Sequence, residues 1–128
     1  MSANRPIIHA AAETLAQSPW EPLTLSSGWG AAFGIRPPAV CSVGQVVFLS
    51  GVIVRNAGGS LSNMLTIPRK YCPTRMNQFI GAGVASNGGA FVLYVSPNGI
   101  LQCKGYSGAG NTAGPAYSFS CCYVPMRD

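Results

Sequence analysis

From Leu23 to Phe119 the chain is a succession of short apolar, β-branched segments, each cut off by glycine or proline before a helix can form. Runs of roughly four to eight such residues between turn formers read as strands, so an all-β domain is the expected fold. The segments are, in order, Leu23-Thr24-Leu25-Ser26-Ser27-Gly28-Trp29, Val46 to Val54, Leu65 to Pro73, Val92 to Leu101 and Tyr117-Ser118-Phe119. Gly58-Gly59, Asn87-Gly88-Gly89 and Asn98-Gly99 supply the positive φ angles that tight turns need. Asn98-Gly99, set between Val92 to Val95 and Ile100 to Gln102, is the clearest hairpin signal. Pro37-Pro38 breaks any helix and starts an extended stretch into Val40. The stretch 105–114, with glycines at 105, 108, 110 and 114, reads as a surface loop.

Side-chain alternation says which way the strands face. In the last one, Tyr117, Phe119, Cys121 and Tyr123 share one side and Ser118, Ser120, Cys122 and Val124 the other, so the aromatic side is expected in the core. Val46 to Val54 and Phe91 to Val95 are apolar at both parities, which calls for cover on both faces. In a chain of 128 residues the second cover has to come from another chain. Composition agrees: charged residues make up 9% against the usual ~25%, and hydrophobic residues 48%, so part of the surface is expected to meet protein.

Taken in sequence, the segment Leu23 to Trp29, the segment Val46 to Val54, Thr66-Ile67-Pro68-Arg69-Lys70-Tyr71-Cys72-Pro73 and Val92 to Leu101 resemble the small β-sandwich head or tip domain of bacteriophage tail-fibre, baseplate and minor structural proteins. There, patterns of the form LTLxNGW, VxLxGxV, TLPxxYRP and VxIxxDGxL follow one another in this order. The resemblance covers residues 20 to 123. The third segment departs by an extra residue before the tyrosine, and Asn98 stands where the family often has aspartate. The resemblance implies a virion protein that contacts other virion proteins and, as a head domain, the host surface, typically as a trimer.

Residues 1–22 differ from the rest. Ala10 to Gln17 has good helix formers and is long enough for two turns before Pro19, but so short a helix is marginal without packing. The segment therefore reads as a docking arm, with Arg5, Ile7, Ile8 and Trp20 as its contact residues and Trp29 just beyond it. No stretch has the length of a secretory leader or a membrane span, and the expectation is synthesis in a host cytoplasm and no membrane insertion. Five cysteines, Cys41, Cys72, Cys103, Cys121 and Cys122, show neither CxxC nor histidine-supported spacing, so they read as free, buried small hydrophobes, neither a zinc site nor a disulfide framework. Eight basic residues give a net charge of +5 but are scattered singly apart from Arg69-Lys70, without the clustering and interleaved aromatics of a nucleic-acid surface.

The inventory of reactive groups argues against catalysis and against any cofactor. The acids are Glu13, Glu21 and Asp128, too dispersed in sequence for the paired carboxyls, about 5 to 9 Å apart, of glycoside hydrolysis. The sole histidine, His9, lies in the arm, away from any candidate nucleophile. Hard cations need several carboxylates, and Gly81-Ala82-Gly83 leads into strand and turn signals where a phosphate loop would lead into a helix. Trp20 and Trp29 have two readings, sugar-stacking platforms and core or interface anchors, and the second is the commoner role. Arg69 and Tyr71 are expected to hold their turn. Tyr106 with Lys104 beside it, and Asn111, are the residues best placed to contact a ligand from the glycine-rich loop, the alternative being a solvated loop.

The sequence thus predicts a compact antiparallel β-sandwich, jelly-roll-like, over residues 23–128, with residues 1–22 as the docking arm of a non-enzymatic phage virion protein. Two roles compete: a tail-fibre or baseplate head touching a host surface glycan, and a decoration protein cementing the major capsid protein. The absence of a shaft segment ahead of the sandwich favours the second, and homotrimerisation suits both.

Overall fold

The structure is a computed structural model that describes residues 16–32, 34, 35, 37–107 and 114–127, with the backbone alone for Tyr106 and Ser107. Its strands are β1 (Glu21–Pro22), β2 (Thr24–Leu25), β3 (Trp29–Ala31), β4 (Ala39–Val43), β5 (Val46–Arg55), β6 (Leu65–Thr66), β7 (Gln78–Ala85), β8 (Ala90–Val95), β9 (Leu101–Ser107) and β10 (Ala116–Tyr123). Every pairing is antiparallel. Seven strands follow one another in the order β1-β4-β5-β10-β7-β8-β9, with β3 on the far half of β5, and β2 and β6 make a second, two-stranded sheet. Backbone bonds carry β9 onto the second sheet: Met64 N donates to Leu101 O (2.9 Å), Ile67 N to Gly99 O (2.8 Å) and Cys103 N to Leu61 O (2.7 Å). The result is the β-sandwich the sequence predicts.

Alternation decides the interior. On β10, Tyr117, Phe119, Cys121 and Tyr123 are buried, as their parity requires. Trp29, Tyr117 and Phe91 form the aromatic centre, with ring centroids 5.3 Å apart in both pairs. Leu49, Ile53, Met64, Leu65, Ile67, Leu93 and Leu101 fill the space around them. Fully burying one such side chain stabilises by roughly 1.5–3 kcal/mol. A bulge between Phe79 and Gly81 turns Ile80 inward while Phe79 stays outside. Gly83 is needed for packing: a Cβ there would come within 2.4 Å of the Phe91 ring.

The two-sided apolar strands behave differently from a strand covered on both faces. Along β5 and β8 the inward residues are buried, whereas Phe48, Val52, Val54, Val92 and Tyr94 on the outward side are only half-buried. Within this chain the sandwich covers one face and leaves the other partly open.

The Asn98-Gly99 hairpin forms where expected, by a three-residue route. Gly99 N bonds Ser96 O (2.9 Å), so Pro97 and Asn98 are the central residues of a turn and Gly99 alone takes positive φ, at 91°. The Asn87-Gly88 turn repeats this, with Gly88 N on Ala85 O (2.9 Å) and φ 93° at Gly88. Pro38 runs extended into β4, as predicted. The third apolar segment departs from a strand: only Leu65–Thr66 pairs, and Arg69–Tyr71 is a single 3-10 turn after Pro68. Gly105, Tyr106 and Ser107, expected in a loop, continue β9, with Ser107 opposite Ala90.

The last residues of the predicted arm lie on the sheet. Gln17 bridges to Val43, and Glu21 and Pro22 pair with Val40 and Ala39. The chain thus joins the sandwich at the end marked by the β4–β5 turn and the β8–β9 hairpin. It leaves at that same end, since β10 runs from Ala116, opposite Val54, to Tyr123, opposite Val47. The opposite end carries the turns at Asn56 to Gly59 and Asn87-Gly88 and the start of β10 at Ala116.

Candidate functional site

The residues singled out in the sequence go to different places. Arg5, Ile7, Ile8 and Asn111 lie outside the described residues, as do His9, Glu13, the stretch 10–15 and the side chain of Tyr106. Trp29 is 6% exposed, donates Nε1–H to Ser60 O (2.9 Å) and packs edge-on against Tyr117. Its ring is spent on the core, which corrects its assignment as a docking contact. Trp20, 37% exposed, remains available, beside a groove of about 150 Å³ lined by Ile35, Pro37, Ala39, Ser50 and Val52.

Lys104 stands exposed on β9 with its Nζ 5.6 Å from the centre of the Tyr94 ring. That ring meets the 54%-exposed Phe79 edge-on at 5.7 Å. Tyr106 follows two residues along β9, at the end away from the point where the chain joins the sheet. The structure therefore brings Lys104 and the Tyr106 backbone to one strand leading to the far end, next to the Asn87-Gly88 turn through the Ala90–Ser107 pair.

Four cysteines are buried and unpaired, matching their reading as small hydrophobes, and Cys122 is the exception, exposed on the outward row of β10. Burial pushes the Cys103 thiol up to about 12 and that of Cys121 to about 11.

A second constellation escaped the sequence reading. The 3-10 turn buries Tyr71, whose hydroxyl donates to the Glu21 carboxylate at 2.5 Å. Lys70 Nζ lies 3.0 Å from the same carboxylate. The Tyr71 hydrogen bond, then Lys70, hold the Glu21 carboxyl below its ordinary value, and Glu21 in turn raises Lys70. Tyr123 Oη donates to Tyr71 O (3.0 Å), and burial lifts its own ionisation far above the ordinary tyrosine range. Arg127 donates from Nη1 to Cys72 O (2.7 Å) and from Nη2 to Lys70 O (2.6 Å). The segment that carries it is pinned by Thr74 N on Met126 O (3.1 Å), Met126 N on Gln78 Oε1 (2.9 Å) and Gln78 Nε2 on Val124 O (2.8 Å). Arg69 and Tyr71 do hold their turn, with Arg69 Nη2 3.4 Å from Asn98 Oδ1. The pairing of Lys70 with Arg127 spans 57 positions and runs through a main-chain carbonyl. Only the two basic neighbours Arg69-Lys70 hinted at it.

Two clefts flank Arg127. One, of about 630 Å³, is lined by residues that include Ser18, Ser42, Gln45, Lys70, Tyr71, Val124, Pro125 and Arg127. The other, of about 300 Å³, lies between Arg69, Thr74, Asn98 and Arg127, with Pro73 and Pro97. Both open at the end where the chain joins and leaves the sheet.

No protein-family model matches the chain, and no curated protein matches it in sequence. Solved structures do match in fold. The receptor-binding protein of Listeria phage PSA superposes with a TM-score of 0.63 at 15% identity, over 94% of this chain and 75% of its own. The head domain of phage bIL170, described among the receptor-binding domains of lactococcal phages, gives 0.54 at 19% identity, over 84% of this chain and 98% of its own. The fold is that of these phage head domains, as the resemblance in the sequence implied.

Proposed function

We propose that this chain is a non-enzymatic bacteriophage virion protein of tail-fibre type, whose sandwich is a receptor-binding head mounted through its N-terminal segment, residues 1–22. The observation that carries the reading is the fold, shared over most of the chain with two phage receptor-binding proteins. Because both neighbours are receptor-binding proteins, the tail role is preferred over capsid decoration. The course of the chain supports it: the N-terminal segment meets the sandwich at one end, so the turns at Asn56 to Gly59 and Asn87-Gly88, and the strand carrying Lys104 and Tyr106, reach the other end. A host glycan would be held there by aromatic stacking, amide groups and backbone donors.

The outward face of the main sheet is the proposed contact with further copies, as a homotrimer. Phe79 and Val84 are 54% and 59% exposed, and Phe48, Val52, Val54, Val92 and Tyr94 are half-buried beside Ser118, Ser120 and Cys122. Lys104 is the one charged side chain among the described outward residues of β5, β10, β7, β8 and β9. A face so short of charge matches a second copy of itself.

The test is competition for the host. Purified protein in excess should block adsorption of the phage, and Tyr106→Ala or Lys104→Ala should weaken the block without altering the fold. Removing residues 1–15 should leave a folded sandwich that still competes but no longer enters particles. Absence of any block by the intact protein would sink the receptor reading.

A further inference from the structure

Among the described residues that line the paired clefts around Arg127, three are basic and none is acidic. Arg69, Lys70 and Arg127 line them, and among the described residues the only acid is Glu21, engaged by Tyr71 and Lys70. Arg127 is anchored to two main-chain carbonyls, which fix its position without neutralising its charge. A guanidinium has five N–H groups, and the two bonds to carbonyls leave others for a partner on either side. The remaining polar lining consists of Ser18, Ser42 and Thr74 hydroxyls and the Gln45 and Asn98 amides.

This chemistry suits carboxylates better than neutral sugars. The one aromatic residue lining either cleft, Tyr71, is 4% exposed with its hydroxyl committed to Glu21, so no ring is offered for stacking. Arg69 and Lys70 on either hand of a rigid arginine fork, by contrast, match acidic side chains on an extended backbone. The location points the same way. Ser18, just ahead of β1, forms part of the larger cleft, so the clefts open beside the segment proposed to mount the head.

We propose that the clefts on either side of Arg127 receive an acidic, extended peptide segment of the particle protein on which the head is mounted. The site rests on the reading of the chain as a mounted virion head, and it adds a second, electrostatic contact to the N-terminal segment.

Incorporation into particles and binding to host cells separate the possibilities. The phage is built with Arg69→Gln plus Lys70→Gln, both exposed side chains, and separately with Arg127→Gln; purified variants are checked for unchanged secondary structure, since loss of the Lys70–Glu21 pair by itself lowers the thermal midpoint. If Arg127→Gln unfolds the C-terminal segment, the double variant alone decides. The expected result is at least a tenfold drop in the protein carried by purified particles, while the purified double variant still blocks adsorption as the wild type does. Normal incorporation overturns the proposal. Normal incorporation with lost adsorption overturns it in favour of an anionic host polysaccharide in the clefts. Wild-type protein absent from particles removes the virion reading itself, and the peptide site with it.

Discussion

Cys121 and Cys122 are neighbours in sequence but face opposite sides of β10, one in the core and one in the open. A thiol reacts as its thiolate, and burial keeps Cys103 and Cys121 protonated, with values near 12 and 11, and raises Cys41 and Cys72 as well. At pH 8 a thiol reagent should therefore modify one equivalent rapidly in a protein held monomeric by Val52→Asp with Val84→Asp and the rest only after denaturation, and Cys122→Ser should abolish the fast phase. Alternation in the segment Tyr117 to Val124 already separates these two cysteines; a reading of all five as buried overlooks it. Glu21 makes a prediction of a different kind. Its carboxyl is held below the ordinary value of 4.5 by Tyr71 and Lys70, so its stabilisation is present above that value and is lost as pH falls through the lower folded value. Glu21→Gln should lower the thermal midpoint at pH 7, and the gap to wild type should close on acidification below pH 4.5. A gap that stays constant to pH 2 would show that the charge on Glu21 contributes nothing to stability through Tyr71 and Lys70. Nothing near Glu21 in sequence reveals these contacts, because Tyr71 lies 50 positions away.

Among the elements, the β8–β9 hairpin depends most on one residue. A Cβ at Gly99 would lie 2.3 Å from Ile67 O, and the φ of 91° is itself unfavourable for any L side chain. Gly99→Ala should cost more than about 1 kcal/mol, read from denaturant midpoints, whereas Gly58→Ala, with open space around it, should suffer the φ penalty alone. Where turn residues bracket a long alternating run, the strands were legible: β5 and β10 fall on the segments that composition and parity mark out. The two-residue strand β1 was not; β2 and β6 fall inside the segments Leu23 to Trp29 and Leu65 to Pro73 read as strands, but their short extent was not legible, since their pairing comes from partners elsewhere in the fold and no run that short has a period to detect. For the same reason Pro68 could be placed only as part of an apolar segment, while in the structure it lies two residues past β6 and caps the 3-10 turn.

On the scale of the whole molecule, the outward face of the sheet predicts self-association. At micromolar concentration light scattering should give a mass near three chains, and Val84→Asp with Val52→Asp should give a monomer of unchanged secondary structure; a wild-type monomer would count against this face. Low charge in the sequence called for such a surface, and the register shows which outward row is apolar and partly open. The basic clefts were invisible to the same reading, because main-chain carbonyls, which every residue has, are what hold Arg127 there. The arrangement of the strands has a mechanical side too. In the proposed role, a head fixed to a particle at one end and gripping a cell at the other would be pulled along its strands, so tension would cross the β5–β10 ladder, paired from Ala116 with Val54 to Tyr123 with Val47, in shear. All the rungs of that ladder share the load at once, where a sheet pulled crosswise would open one rung at a time. Under the proposed mounting, drag on a tethered particle would be borne by the longest ladder among the described residues.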